Sequence, residues 1–128
     1  MKNLVGLLMT LTLLNADVIQ LESKTLEETL KSENVVVDFY AEWCGPCKKF
    51  APIFEKVAGS ELEKSKLFAK VNIDKEGELC DKFKVRSVPT ILFLKNGKEV
   101  ARHVGYLSEK ELSLQIKKHF SAGQLRLN

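Results

Sequence analysis

The 128-residue chain predicts a single α/β domain, a mixed central β-sheet with helices on both faces. Three observations carry that expectation. Short apolar runs alternate with segments of helical period in the order β-α-β-α-β-α-β-β-α. Each of the first three strands is followed by a helix, as parallel pairing requires. The last two strands flank Lys95-Asn96-Gly97-Lys98, and Asn-Gly between two such runs signals an antiparallel hairpin.

Taken in order, residues 18–21 form a short strand, and Thr25-Leu26-Glu27-Glu28 reads as a capping box opening a helix that ends near Ser32. Residues 35–40 are a continuous apolar run around one acid, the pattern of a strand buried on both faces. From about Cys44, the side chains of Phe50, Ile53, Phe54, Val57 and Ala58 recur on one helical face. Pro52 should bend that helix, and Gly59-Ser60 loosens or ends it. Residues 67–73 form a second buried strand, and Leu79, Cys80 and Phe83 mark a short helix. The hairpin strands cover residues 90–94 and 99–104. Ser108 with Glu111 is a second capping box, starting a last helix with Leu112, Ile116, His119 and Phe120 inward. Residues 17–120 thus make the domain, and residues 121–128 form a tail without a clear period.

Composition narrows the function classes. Hydrophobic residues make up 45% and charged residues 29%, enough apolar material for one core without a metal or disulfide staple. Twenty basic residues stand against 17 acidic ones, for a net charge of +3. The two signs interleave, as in Glu61-Leu62-Glu63-Lys64, so no basic stripe suits a nucleic acid. Three unevenly spaced cysteines do not make a disulfide scaffold.

Residues 1–16 differ from the rest. Lys2 is the only charge before Asp17, residues 4–14 are an apolar run with two threonines, and Asn15-Ala16 follows. A positive start, an apolar middle and a small-residue exit are the layout of a secretory signal peptide. The run is too short to cross a bilayer, which takes about 20 apolar residues. Cleaved before Asp17, the protein would be exported, to a periplasm or its equivalent. The competing reading is an extra N-terminal segment or a start at Met9, in a cytoplasmic protein.

The chemistry concentrates in Trp43-Cys44-Gly45-Pro46-Cys47, where a buried strand turns into a helix. A helix N-terminus presents free N–H groups and partial positive charge, which favour a thiolate at Cys44. Only the thiolate attacks a disulfide sulfur. A spacing of three sets Cys47 one turn on, in reach of Cys44. Pro46 has no N–H to leave unpaired in the first turn, and with Gly45 it shapes the loop between the sulfurs. A structural zinc would need two more ligands, and Cys80, His103 and His119 are isolated, so no metal is expected. Inert buried thiols would not need an exposed turn.

Asp38 and Lys70 are lone charges within strands expected to be buried, so they should face each other across neighbouring strands. They read either as a structural ion pair or as an acid, raised in pKa by burial and tempered by Lys70, that exchanges a proton with Cys47. Pro89 must begin its strand or follow a cis bond. Gly105 is either a turn or a space left for a ligand. Cys80 reads as an inert core thiol.

The stretch from Val36 to Lys48, Val-Val-Asp-Phe-Tyr-Ala-Glu-Trp-Cys-Gly-Pro-Cys-Lys, resembles the active site of the thioredoxin family. Pro52, Lys70-Val71-Asn72-Ile73-Asp74, Val85-Arg86-Ser87-Val88-Pro89-Thr90, Gly97 and Gly105 follow in the family's order, over roughly residues 18–120. Tyr40 departs from the Trp of many bacterial members but keeps an aromatic. The resemblance implies the thioredoxin fold and reduction of protein disulfides through a reversible Cys44–Cys47 pair. Cys44 would be the nucleophile, Cys47 the resolving thiol, and Asp38 the proton partner. It also implies a cis Val88–Pro89 bond beside the cysteines, with Val88 backbone groups, Gly105 and the Trp43 surface receiving an extended substrate segment. No bound cofactor is implied, only disulfide-containing substrates and an electron-donating reductase or membrane thiol donor, with the chain a monomer. Gly-Pro between the cysteines resembles the reducing members, whereas oxidases and isomerases generally carry His at the second position. The alternatives are an exported disulfide oxidase or isomerase, and a binding module whose dithiol switches affinity.

Overall fold

Apolar strands that find partners on both edges make the centre of the molecule. The computed structural model describes residues 17–120. Strands β1 (Val18–Gln20), β2 (Asn34–Tyr40), β3 (Leu67–Asn72), β4 (Thr90–Lys95) and β5 (Lys98–Val104) form one sheet in the order β1-β3-β2-β4-β5. β3 runs parallel to β1 and β2, while β4 is antiparallel to β2 and β5. Helices α1 (Leu26–Thr29), α2 (Gly45–Ala58), α3 (Gly77–Phe83) and α4 (Glu109–Phe120) make the connections and the final cover. The expected order and mixed sheet are present.

Side chains alternate across the sheet, so two cores form. On one face Val36, Phe68, Ile91 and Phe93 meet Phe50, Phe54 and Val57 of α2 and Leu112, Ile116 and Phe120 of α4. On the other, Val35, Val37, Phe39, Ala69, Val71, Leu92 and Leu94 meet Leu26 of α1 and Leu79 of α3. The Phe54 ring stands edge-on to Phe68, their centroids 5.4 Å apart. Asn96 and Gly97 turn the β4–β5 hairpin with φ of 52° and 82°, the left-handed region that an Asn-Gly pair tolerates.

Local expectations need several corrections. Thr25 does not cap α1 with its side chain: its hydroxyl turns back to accept the Glu22 N–H at 3.3 Å, within a 3-10 turn at Ser23–Thr25. That preceding turn takes up the hydroxyl, and α1 stops at Thr29, before Ser32. A 3-10 turn at Glu61–Glu63, after α2, had no apolar period to announce it. His119 is only half-buried, with its ring 5.1 Å from Phe93 and Nε2 3.0 Å from Gln115 Oε1. Cys80 sits at the rim of the second core, half-buried, and not inside it. By contrast the Ser108–Glu111 box forms as expected, with reciprocal bonds of 2.9 and 3.1 Å. The segments 1–16 and 121–128, read as leader and tail, lie outside the described residues.

Phe68 is fully buried near the start of β3, between β1 and β2. Phe68→Ala should lower the unfolding free energy by about 3–5 kcal/mol, measured by urea denaturation. A loss below about 1 kcal/mol would mean that the aromatic core collapses around the gap.

Candidate active site

β2 carries the chain out of the core at Tyr40, and α2 begins five residues later. Cys44 is the N-cap of α2, extended at φ −91° and ψ 116°, and its Sγ accepts the Cys47 N–H at 3.2 Å. Sulfur here takes the place of the usual capping oxygen, so helix formation itself aims an N–H at it. Pro46 occupies the first turn, where its missing N–H costs nothing. Fourteen aligned peptide units stand behind the sulfur and add positive potential. Cys44 and Cys47 are joined by a disulfide, with Cα atoms 5.3 Å apart.

The turn is exposed only in part. Trp43, Gly45 and Pro46 face solvent, while Cys44 and Cys47 are 6% and 3% exposed and pack with Ala41, Tyr40, Ile73 and Val88. The turn is exposed as expected at Trp43, Gly45 and Pro46, while the sulfur pair meets the surface at its edge. Trp43 is 67% exposed, yet its Nε1 donates to Asp74 Oδ2 at 2.9 Å, which ties the indole to the loop after β3. Asp74 stands in the family-like run after β3, but nothing in the sequence links it to a residue 31 positions earlier.

Opposite the sulfurs lies the segment that precedes β4. The Val88–Pro89 bond is cis, and Val88 O stands 3.8 Å from Cys44 Sγ. Pro89 is both cis and immediately ahead of the strand, so it costs the sheet no ladder bond. Its carbonyl accepts the Gly105 N–H at 2.8 Å. Gly105 has φ +112°, a conformation that favours glycine, and open space where a Cβ would stand. The turn reading of Gly105 is sufficient to account for a glycine here. Tyr106 is half in solvent beside it, edge-on to Phe50, with Lys49 Nζ 5.5 Å from the ring centre.

Behind the disulfide is a cavity of about 420 Å³ bordered by Asp38, Cys47, Phe54, Glu55, Tyr40 and Lys70. Asp38 is 3% exposed, and its Oδ1 has no hydrogen-bond partner in the protein. Burial pushes its pKa from 3.8 up to about 7, and the field of Lys70 opposes the rise. The β2–β3 register sets Asp38 opposite Lys70. Of the two readings of this pair, the acid raised by burial and tempered by Lys70 fits the geometry, and the closed ion pair does not form. Lys70 keeps 35% of its side chain exposed, with its ammonium 4.0 Å from Glu55 Oε2 and 5.7 Å from the centre of the Tyr40 ring. A long flexible stem lets the ammonium stay hydrated while Asp38 cannot follow it. The Cys80 thiol is held above its ordinary pKa by burial, then by Asp81, Asp74 and Glu76.

A carboxyl whose folded pKa lies near 7 keeps a proton that the unfolded chain loses near pH 4. Stability should therefore fall as pH rises from about 4 to about 7, by roughly 4 kcal/mol in all, and stay low above. Asp38→Asn should flatten that slope and unfold at higher urea near pH 8; a slope shared by both proteins would assign it to other groups. Removing Asp38 strands no buried charge, because Lys70 is half-exposed and beside Glu55.

Comparisons with known proteins agree with this geometry. Residues 17–118 match the Thioredoxin family. Thioredoxin of Mycoplasmoides gallisepticum is 42% identical over 86 residues, spanning 67% of this chain and 84% of that protein. Thioredoxin of Chlamydia pneumoniae is 39% identical over 99 residues, 77% and 95% of the two chains. The structure of Malassezia sympodialis thioredoxin superposes with a TM-score of 0.75 at 29% identity, covering 84% of this chain and 94% of that one. With the matching fold and the Cys44–Cys47 disulfide at the head of α2, the chain belongs to the thioredoxin family and is a thiol–disulfide oxidoreductase, a protein-disulfide reductase.

Proposed function

We propose that reduction begins with the Cys44 thiolate attacking a substrate disulfide, forming a mixed disulfide and releasing one substrate thiolate. The Cys47 thiol then passes its proton to Asp38 and attacks Cys44 Sγ. The second substrate thiolate leaves, and two electrons have moved from the protein to the substrate. The observation that carries this reading is the cavity shared by Asp38 and Cys47, with an unpaired carboxylate oxygen and a pKa near the working pH. Lys70 acts as the charge that keeps Asp38 partly ionised. Gly45 and Pro46 fix the separation of the sulfurs. The substrate segment lies in extended form against the Val88 backbone before Pro89, between Trp43 and the space at Gly105.

Members of this family take disulfide-containing proteins as substrates and are returned to the dithiol by a reductase. For this chain we place the work outside the cytoplasm, as a monomer fed by a membrane thiol donor. The charge and apolar pattern of residues 1–16 supports the export reading. No helix among the described residues is long and apolar enough to cross a membrane.

Cys47→Ser should trap mixed disulfides through Cys44 and Cys44→Ser should abolish insulin reduction; an active Cys44→Ser protein would reverse the two roles. Asp38→Asn should slow turnover about tenfold or more and remove the inflection near pH 7. Identical pH profiles would leave Asp38 a structural role. Fractionation with N-terminal sequencing should find the protein outside the cytoplasm, starting near Asp17. Full-length cytosolic protein starting at Met1 or Met9 would contradict export.

A further inference from the structure

The loop that faces the disulfide is anchored from the far side of the sheet by a side chain that the mechanism does not use. Arg102 of β5 donates from Nε to Glu99 Oε2 at 2.6 Å and from Nη2 to Glu99 Oε1 at 2.8 Å. It also donates from Nη2 to the Phe83 carbonyl at 2.6 Å and from Nη1 to the Lys84 carbonyl at 3.2 Å. Those carbonyls end α3, where helix geometry leaves acceptors without N–H partners and the dipole favours a cation. We propose that Arg102, held by Glu99, is a positioning residue that fixes the start of the Val88 loop and thereby the affinity for protein substrates.

Residues three apart on a regular strand point to opposite faces. Glu99 pairs with Leu94 and Ala101 with Phe93, so Val100 is an extra residue, a bulge. The bulge turns Glu99 onto the face of Arg102, which pairs with Leu92, and both overlie the core that α3 covers. The guanidinium thus has a bidentate carboxylate holding its plane and two more N–H bonds aimed at the end of α3.

The segment after α3 needs such a hold. Lys84 takes φ 54°, left-handed for a residue with a side chain, before the Val85 N–H bonds the Cys80 carbonyl at 2.9 Å. From there residues 85–88 lead to the cis bond. The far end is held by Thr90 Oγ1 donating to the Ser87 carbonyl at 2.7 Å and by the Gly105 N–H on Pro89 O. Arg102 is the anchor of the near end. Release of that end leaves the cysteines untouched but lets the Val88 backbone drift from the line a substrate strand must meet.

The inference rests on the reading of Val88 as a substrate contact, and the test separates the two. Prereduced protein is mixed rapidly with increasing insulin, and separately with the small aromatic disulfide dithionitrobenzoate, which needs no strand contact. In Arg102→Ala the half-saturating insulin concentration should rise about threefold to tenfold, with the maximal rate and the dithionitrobenzoate rate within about twofold of the parent. Amide exchange at residues 85–88 should quicken. Glu99→Gln, which keeps the shape and loses the charge, should show a smaller change of the same kind, and Arg102→Lys should not restore affinity because an ammonium lacks the planar fork. Unchanged exchange in a folded Arg102→Ala protein overturns the proposal at the anchor. Faster exchange with unchanged insulin affinity overturns it at the Val88 contact.

Discussion

β2 is hydrogen-bonded to β3 on one edge and β4 on the other, and covered by helices on both faces. A strand so enclosed has no access to water between its two ends, so every side chain in that stretch must be apolar or bear the cost of dehydration. Five of its seven residues are buried, and one of them is an acid. Asp38 is thus a buried acid that works against folding while sitting at the back of the disulfide. Its raised pKa and its effect on stability have the same cause, a carboxyl denied solvent and denied a close cation.

The same strand delivers the sulfurs. Its end at Tyr40 hands the chain to a short turn and then to α2, where the Cys47 N–H in the first turn meets Cys44 Sγ. Rigid elements therefore fix both partners of the proposed proton transfer, Asp38 from inside the sheet and Cys47 from the first turn of the helix. The cores on either side are built largely from phenylalanine and branched aliphatics, and close packing of that kind resists the shift of one element alone. Around this rigid pair the receiving surface is made of loops. Trp43 is tethered by Asp74, and the Val88 segment is stitched at each end by hydrogen bonds to β5 and β4 side chains and backbone.

Periodicity and local motifs read from residues alone determined a large part of this protein. Unbroken apolar runs marked β2 and β3 as central, Asn-Gly marked the hairpin, and Cys-Gly-Pro-Cys at a strand-to-helix junction marked the disulfide. These are legible because they depend on neighbours within one turn or one strand, where side-chain period and backbone preference act directly. The Ser108 box formed for that reason, and the Thr25 box failed because a preceding 3-10 turn competed for the same hydroxyl.

Only the tertiary structure decided what meets across the chain. It left Lys70 at the rim beside Glu55 and not closed on Asp38, because β3 lets a long stem reach water there. It joined Trp43 to Asp74, put Cys80 at the edge of the core, and used a bulge at Val100 to turn Glu99 and Arg102 onto one face. Each of these depends on strand order, on register and on one inserted residue. Sequence pattern fixes which face of an element is apolar, while the distance between polar groups on different elements is set by how the whole sheet packs, so the apolar frame was readable from the chain and the polar contacts were not.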